Sequence, residues 1–124
     1  MIPKIPGLRF SGSNNFFLIA GPCVIENKSV TEKVAQVCRD VSEKYEIPLI
    51  FKSSYRKANR TRADSFSGIG DRDALAILSE AGSKYDLPLI TDIHKPAEAS
   101  LAAEYVDILQ IPAFLCRQTE LLLA

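Results

Sequence analysis

The sequence has no net charge and no long apolar run. Fifteen Lys and Arg residues balance fifteen Asp and Glu residues, so the electrostatic field of the whole protein will not recruit nucleic acid or an acidic membrane. The longest strongly apolar stretch, residues 16–25, is interrupted by Gly21-Pro22 and has about half of the roughly 20 residues that a membrane helix needs. We therefore expect no transmembrane span, and any anion binding must be local.

The sequence also has no C-x-x-C pair, and we expect no secretory leader. The three cysteines, Cys23, Cys38 and Cys116, are an odd number at wide spacing, which argues against a disulfide scaffold and for reduced thiols. The first residues, MIPK, lack the apolar segment and small-residue cleavage site of a signal peptide. With 47% hydrophobic and 24% charged residues, the composition is that of an ordinary globular protein, and we expect it in the cytoplasm.

Short apolar runs alternate with helical patterns. The runs predict strands at residues 16–20, 49–51, 87–91 and 107–111, the first of them buried on both faces. Ser29 and Glu32 form a capping box for a first helix that runs to about Tyr45. Asp71 is predicted to cap a second helix that ends near Gly82, and further helices are predicted at residues 96–102 and just before the chain stops. The core face of the first helix is predicted from its valines, Val30, Val34, Val37 and Val41.

This alternation predicts an α/β protein with a parallel sheet covered by helices. Two architectures compete, an open doubly wound sheet and a barrel, and no GxGxxG or Walker-type loop follows a strand to favour a nucleotide-binding sheet. Four βα units are half of a (β/α)8 barrel, whose usual length is about 250 residues. The sequence therefore predicts one incomplete domain in residues 1–124, the first half of a TIM barrel.

Polar side chains cluster after the apolar runs, where a barrel or an open α/β sheet carries its site. Pairs at i, i+2 share one face of a strand, so we expect the side chains to converge. The polar side chains that follow the apolar runs are Lys52, Ser54, Asp92, His94, Gln110 and Arg117. Residues 47–63 add further cations and no acid. This run fits a solvated loop or a site for phosphate or carboxylate ligands.

Cys23 and His94 leave their chemistry open. A lone cysteine is most often a small buried hydrophobe, whereas Cys23 at a barrel mouth would be a metal ligand or a nucleophile. His94 is the only histidine, and Asp92 lies two residues earlier on the same predicted face, which favours a functional role. No HExxH motif or closely spaced ligand set occurs, so we do not expect these residues to complete a metal site.

Together, five motifs resemble the 3-deoxy-D-manno-octulosonate 8-phosphate synthase family. They are AGPC at 20–23, FKSS at 51–54, KANR at 57–60, TDIH at 91–94 and QIPAFLCRQT at 110–119. KANR and QIPAFLCRQT are highly specific. The resemblance implies the N-terminal half of a (β/α)8 barrel, usually a homotetramer. The implied enzyme condenses phosphoenolpyruvate with D-arabinose 5-phosphate and releases phosphate, in lipopolysaccharide biosynthesis.

The resemblance also implies roles for single residues. Asp92, His94 and Lys57 would be catalytic, close to the reacting carbons. The pocket for phosphoenolpyruvate would be lined by Lys52, Ser54, Lys57, Gln110, Ala113 and Arg117, and Pro112 and Phe114 would also bind substrate. The sugar phosphate would be contacted by Asn59, Arg60 and Thr61. Cys23 matches the cysteine of the metal-dependent branch, which implies a divalent metal such as zinc, iron or manganese and no nucleotide cofactor.

The loop after KANR departs from the family pattern. Residues 62–70 replace its usual serine-rich stretch with histidine and an arginine-glycine pair. One alternative is a 3-deoxy-heptulosonate 7-phosphate synthase, which uses erythrose 4-phosphate but lacks the KANR signature. Another is a non-catalytic half-barrel that only binds phosphate.

Overall fold

The structure is a computed structural model that describes residues 4–57 and 68–124. Strands and helices alternate, as predicted. The strands are β1 (Leu18–Ala20), β2 (Leu49–Lys52), β3 (Leu89–Asp92) and β4 (Ile108–Gln110). The helices are α1 (Lys28–Tyr45), α2 (Asp71–Tyr85), α3 (Glu98–Ala103) and α4 (Thr119–Leu123), with a 3-10 turn at Ala113–Leu115. Within those two ranges, no helix combines the length and apolar character needed to cross a membrane.

The four strands form one parallel sheet in chain order, β1-β2-β3-β4. Right-handed crossovers that all step in one direction place their helices on the same face of the sheet. This is the order of consecutive strands in a barrel, whereas a doubly wound sheet reverses its order at a switch point. The predicted α/β class is therefore confirmed, with a sheet arranged as in part of a barrel.

The hydrophobic core lies between the sheet and the helices. Leu49 and Phe51 of β2 and Leu89 of β3 are at most 5% exposed, and they pack with Leu75 and Leu78 of α2, which have no exposed surface. Burial of each such side chain is worth about 1.5–3 kcal/mol. Because strand side chains alternate, the odd-numbered residues of β2 belong to this core and its even-numbered residues face the other way.

The face opposite the helices is apolar at its amino end and polar at its carboxyl end. The strand register places one isoleucine from each strand on it, which are Ile19, Ile50, Ile90 and Ile108. On the same face Lys52 of β2 lies beside Ile90, and the Asp92–Gln110 pair of β3 and β4 comes two residues further along. Lys52, Asp92 and Gln110, three of the polar residues predicted for the site, thus share one face of the sheet at its carboxyl edge.

The first strand is shorter and less buried than predicted. Phe16 and Phe17 are 68% and 53% exposed, so the expectation of a strand buried on both faces from residue 16 onward is wrong. Pairing begins only where the Leu18 amide donates to the Pro48 carbonyl at 2.7 Å, because β2 itself starts at Leu49. An apolar run in the sequence indicates residues suited to burial, but the length of the strand depends on how much of the neighbouring strand is available for hydrogen bonding.

The predicted cap of α1 is wrong by two residues. Asn27, not Ser29, is the N-cap, and its side-chain Oδ1 accepts a hydrogen bond from the Val30 amide at 2.9 Å. The predicted valine face is also wrong in part, since Val30 and Val37 are 45% and 56% exposed. The most buried residues of α1 are small ones, Thr31, Ala35 and Ser42, because α1 packs closely against the sheet and α2.

The ends of α2 also differ from the prediction. Asp71 is the first residue of the helix, and Gly70 stands at the N-cap without a side-chain hydrogen bond. The helix continues past Gly82 to Tyr85. At Gly82 a Cβ would lie 2.6 Å from Leu89 Cδ1. This glycine therefore serves helix-to-sheet packing rather than helix termination.

The corrected cap gives a direct test. We expect Asn27→Ala to lower the free energy of unfolding by about 1 kcal/mol, because the Val30 amide loses its acceptor. Ser29→Ala serves as the matched control, since Ser29 is exposed within the first turn of α1, and it should change stability by less than about 0.5 kcal/mol. Urea unfolding followed by circular dichroism measures both. A larger loss of unfolding free energy in Ser29→Ala than in Asn27→Ala would instead support the predicted capping box.

Candidate active site

Buried hydroxyl groups tie together the carboxyl ends of the first three strands. Ser53 Oγ donates to the Pro22 carbonyl at 2.8 Å, and Thr91 Oγ1 donates to the Ser53 carbonyl at 2.7 Å. Ser53 and Thr91 have no exposed surface. Their hydrogen bonds satisfy polar groups that would otherwise be costly to bury, so the loops after β1, β2 and β3 start from fixed positions.

Gly21 allows the loop after β1 to lie directly against the end of β2. A Cβ at this position would be 1.8 Å from the Lys52 carbonyl oxygen, so no other residue fits without movement of the backbone. Beyond it, Val24 pairs with Ser54 in a parallel bridge, and the Ile25 amide donates to the Ser54 carbonyl at 2.9 Å. The glycine of the AGPC motif thus has a packing role beside Lys52.

Five of the predicted site residues meet in one polar cluster around Asp92. Ser54 Oγ donates to Asp92 Oδ1, and Lys52 Nζ lies 3.5 Å from the same oxygen. His94 Nε2 lies 3.1 Å from Asp92 Oδ2. Lys57 Nζ donates to Ser54 Oγ at 2.7 Å. These residues, Lys52, Ser54, Lys57, Asp92 and His94, are called the Asp92 cluster below.

The cluster keeps Asp92 ionised. The residue is only 6% exposed, and burial alone would raise the pKa of its carboxyl. The Ser54 hydrogen bond and the charges of Lys52 and Lys57 outweigh burial and lower the pKa below its ordinary value. At neutral pH, Asp92 is therefore a carboxylate that accepts from the Ser54 hydroxyl and lies beside Lys52, with Lys57 adding positive charge from behind Ser54.

His94 is a buried imidazole with one nitrogen engaged. Its side chain is 6% exposed. Burial lowers the pKa of His94, Asp92 acts in the opposite direction, and Arg56 adds to the lowering, so that the pKa lies below its ordinary value. We therefore take the ring as neutral at pH 7, with Nε2–H donating to Asp92. Among residues 4–57 and 68–124, Nδ1 has no hydrogen-bond partner.

Three contributors to the site were not predicted from the sequence. Glu98, the first residue of α3, accepts hydrogen bonds from Tyr55 Oη at 2.5 Å, from Arg56 Nη2 and from the His94 amide at 2.9 Å. Burial, together with the charges of Asp71 and Asp92, raises the pKa of Tyr55 to about 12. The i, i+4 spacing of His94 and Glu98 was a signal in the sequence, and Arg56 belongs to the basic run at residues 47–63. Nothing in the sequence indicated that Tyr55 and Arg56 contact Glu98.

The remaining predicted residues are less closely joined to the cluster. Gln110 lies beside Asp92 in the strand register. Pro112, Ala113, Phe114 and Arg117 follow β4 around the 3-10 turn, where Phe114 is 59% exposed. In the described ranges no hydrogen bond or ion pair connects Arg117 with the Asp92 cluster. Asn59, Arg60 and Thr61 lie outside the described residues.

The described residues do not by themselves form a metal site. Cys23 has an exposed, unpaired thiol in the loop after β1. Across the described ranges, no group of three or more His, Cys, Asp or Glu side chains is arranged to hold a metal ion. A tetrahedral zinc site needs three or four protein ligands. Cys23 can contribute one thiolate, and no step is assigned to a metal here.

Two sizeable cavities lie away from the cluster, at the opposite edge of the sheet. One of about 370 Å³ is lined by Leu87, Pro88 and Asp107, which precede β3 and β4. Another of about 350 Å³ is lined by Phe17 and Pro48, which precede β1 and β2. Parallel α/β proteins carry their sites at the carboxyl ends of strands. The Asp92 cluster has this position and the ionisable groups, so we take it as the candidate active site.

Comparison with protein families agrees with the motifs at this edge. Residues 7–124 match the sequence model of the DAHP synthetase I family. The chain belongs to this family. The description of the family names a heptulosonate enzyme, so membership alone does not choose between the two sugar phosphates considered above.

The names of individual relatives identify the enzyme more specifically than the family description does. The chain is 50% identical over 113 residues to 2-dehydro-3-deoxyphosphooctonate aldolase of Syntrophobacter fumaroxidans, covering 91% of this chain and 39% of that protein. It is 49% identical over 123 residues to the protein of the same name from a Cyanothece strain, covering 99% and 45%. It is 49% identical over 109 residues to 2-dehydro-3-deoxyphosphooctonate aldolase 1 of Arabidopsis thaliana, covering 88% and 38%.

These identities confirm the resemblance predicted from the motifs, because the shared name denotes 3-deoxy-D-manno-octulosonate 8-phosphate synthase. Among these three relatives, the chain spans 38% to 45% of the relative's length. The matched part contains the Asp92 cluster and the segment after β4.

Proposed function

We propose that the polypeptide to which this chain belongs condenses phosphoenolpyruvate with D-arabinose 5-phosphate, as a transferase of lipopolysaccharide biosynthesis. The observation that carries the proposal is the convergence of Lys52 and Lys57 on Ser54 and Asp92 at the carboxyl edge of the sheet. The names of the relatives support the choice of substrates. The chain supplies the residues that bind phosphoenolpyruvate and orient the acceptor.

The charges of the cluster suit a small substrate rich in negative charge. Lys52 and Lys57 are balanced only in part by Asp92, and the neutral His94 adds no charge. Such cations recognise phosphate and carboxylate groups through charge-assisted hydrogen bonds. Lys52 is about three-quarters buried, so its attraction is less screened than that of a surface lysine. We assign Arg117, in the segment after β4, to the same ligand.

In the proposed reaction, C3 of phosphoenolpyruvate forms a bond to the aldehyde carbon of the sugar, and the aldehyde oxygen takes up a proton. Water adds at C2, and phosphate leaves as C2 becomes a ketone. Asp92 and His94, with Nε2 and Oδ2 at 3.1 Å, are assigned to hold and move the proton. Lys52 and Lys57 stabilise charge on the phosphoryl and carboxylate oxygens. Asn59, Arg60 and Thr61 are assigned to the sugar phosphate.

The proposal includes a closed barrel. The consecutive strand order and the isoleucine face opposite the helices, on which Ile19 is 43% exposed, support a (β/α)8 barrel of which residues 1–124 form the N-terminal half. In a barrel this face fills the interior. The proposal also includes a homotetramer and a cytoplasmic location, and the free thiols of Cys23, Cys38 and Cys116 are consistent with a reducing compartment.

The test is an assay of the polypeptide encoded by the complete reading frame. Phosphoenolpyruvate is supplied with arabinose 5-phosphate or with erythrose 4-phosphate, and phosphate release is measured. We expect turnover with arabinose 5-phosphate and at least tenfold less with the shorter sugar. Turnover of erythrose 4-phosphate alone would make the protein a heptulosonate synthase. Phosphate binding without turnover of either sugar would favour the non-catalytic alternative.

A metal dependence is proposed on the single thiol of Cys23. A thiolate suits a borderline or soft divalent ion such as zinc or iron, which when bound would orient the aldehyde or the water. We expect the full-length protein to lose activity to a chelator and to regain it with added divalent metal. Metal analysis provides a second readout, in which Cys23→Ala should reduce the bound metal at least tenfold. Full activity after exhaustive chelation, with no metal found, would overturn this part of the proposal.

A further inference from the structure

Glu98 is the most heavily engaged carboxylate behind the Asp92 cluster. It is 8% exposed and accepts from groups on two different loops. Tyr55 and Arg56 come from the loop after β2, and the His94 amide comes from the loop after β3. A buried carboxylate is stable only when it is paired and hydrogen-bonded, and Glu98 meets both conditions. The residue therefore joins the two loops that carry the cluster.

Glu98 also lies close to the imidazole ring of His94. Its Oε2 lies 3.6 Å from His94 Nδ1, while Asp92 Oδ2 lies 3.1 Å from Nε2. The ring of His94 thus stands between two carboxylates. The edge of the Tyr55 ring packs against it, with ring centroids 6.2 Å apart. A neutral ring that donates through Nε2 leaves the Nδ1 lone pair facing Glu98, and a protonated ring would find its second acceptor there.

We propose that Glu98 is a positioning residue for the His94–Asp92 pair. The Glu98 carboxylate accepts a hydrogen bond from the His94 backbone amide and lies beside Nδ1 of the ring. This placement directs Nε2 of His94 toward Asp92. This role rests on the function proposed above. Glu98 acts here through the hydrogen bond from the His94 amide and through its charge beside Nδ1, not through a hydrogen bond from the neutral ring. Glu98 itself does not touch substrate in this arrangement.

The charged groups around His94 set the direction of the expected effect. Asp92 and Glu98 face its two nitrogens, Arg56 and Lys57 bring positive charge, and Tyr55 is neutral at ordinary pH. Removing the charge of Glu98 takes away an anion that stabilises the protonated ring. The pKa of His94 should then fall further, by about one unit for a charge at this distance that Arg56 partly screens.

The test uses nuclear magnetic resonance of the full-length polypeptide with isotope-labelled histidine, in which the ring signals of His94 are identified by their absence from the His94→Gln variant. We expect Glu98→Gln to lower the pKa of His94 by about one unit and Glu98→Asp to leave it within about 0.3 unit, because the charge is retained. The matched control is Glu104→Gln, the same chemical change at an exposed residue just after α3, which should leave the titration unchanged. An unchanged pKa in Glu98→Gln would overturn the proposal.

A second variant keeps the test decisive if Glu98→Gln does not fold. Tyr55→Phe removes the hydroxyl that donates to Glu98 Oε2 and preserves the ring that packs on His94. The carboxylate is then less compensated, and the pKa of His94 should rise by about 0.5 unit. No change, or a fall, would contradict a carboxylate that acts on the imidazole.

Kinetics of the full-length polypeptide separate this inference from the proposed function. If Glu98 positions the pair, Glu98→Gln lowers kcat about tenfold and leaves the KM for phosphoenolpyruvate within twofold, because Lys52 and Lys57 are not contacted by Glu98. A raised KM with unchanged kcat would overturn the inference. A wild-type protein without condensation activity would refute the proposed function, and the titration of His94 would still decide the placement of Glu98.

Discussion

Asp92→Asn is expected to reduce kcat/KM of the full-length polypeptide by at least about a thousandfold, which corresponds to about 4 kcal/mol of transition-state stabilisation. The reason is that one carboxylate organises the cluster. It accepts from Ser54, lies 3.5 Å from Lys52 Nζ and holds His94 Nε2 at 3.1 Å. An amide has the same shape, but it carries no charge, and its NH2 group cannot accept from either the lysine or the imidazole.

Steady-state kinetics with both substrates measures the loss. Asp40→Asn is the matched control, because it makes the same change at an exposed position on α1 and should alter kcat/KM less than twofold. A loss below tenfold in Asp92→Asn would show that the carboxylate does not organise the reacting groups. A loss carried entirely by KM would place Asp92 in binding rather than in proton transfer.

Asp92 also predicts how stability depends on pH. Because the folded state lowers the pKa of its carboxyl, the ionised form contributes stability that is fully present above the unfolded pKa of about 3.9. That contribution is lost as the pH falls through the lower, folded pKa. We therefore expect Asp92→Asn to flatten the acid side of the stability curve, as measured by urea unfolding across that range. An acid limb as steep as that of the wild type would contradict this.

Gly21→Ala is expected to destabilise the chain by about 3 kcal/mol or to prevent folding. The added Cβ would lie 1.8 Å from the Lys52 carbonyl oxygen, and relief requires β1 and β2 to move apart. The ladder between Leu18–Ala20 and its partners in β2 has only three residue pairs, so little pairing remains to resist the strain. Urea unfolding of the 124-residue chain measures the effect.

Gly12→Ala provides the control for this prediction. No atom lies within 4 Å of a Cβ at Gly12, and its φ is outside the left-handed region. Gly12→Ala should change the free energy of unfolding by no more than about 0.5 kcal/mol. If Gly12→Ala and Gly21→Ala lost similar amounts of stability, the backbone freedom of glycine, rather than the contact with Lys52, would explain both. In the full-length protein, any Gly21→Ala variant that folds should also bind phosphoenolpyruvate more weakly, because Lys52 shifts with its carbonyl.

The sequence by itself determined the fold class and the edge at which the site lies. Apolar runs at residues 49–51 and 87–91 nearly coincide with β2 and β3, because a strand buried on both faces needs continuous hydrophobicity, which is a local property. Side chains two residues apart on a strand share a face. Lys52 and Ser54, like Asp92 and His94, were therefore predicted together, and the structure brings these four residues into contact.

Only the tertiary structure decided which residues touch across the loops. Glu98 meets Tyr55 and Arg56, which lie 43 and 42 positions earlier in the chain, and no periodicity within one segment encodes such a contact. The extent of β1 depended on where β2 begins, and the need for glycine at position 21 depended on the Lys52 carbonyl. Local patterns specify strands and helices, whereas burial and the distances between charges exist only after the elements have packed. For that reason the ionised state of Asp92 and the lowered pKa of His94 could not be read from their neighbours in sequence.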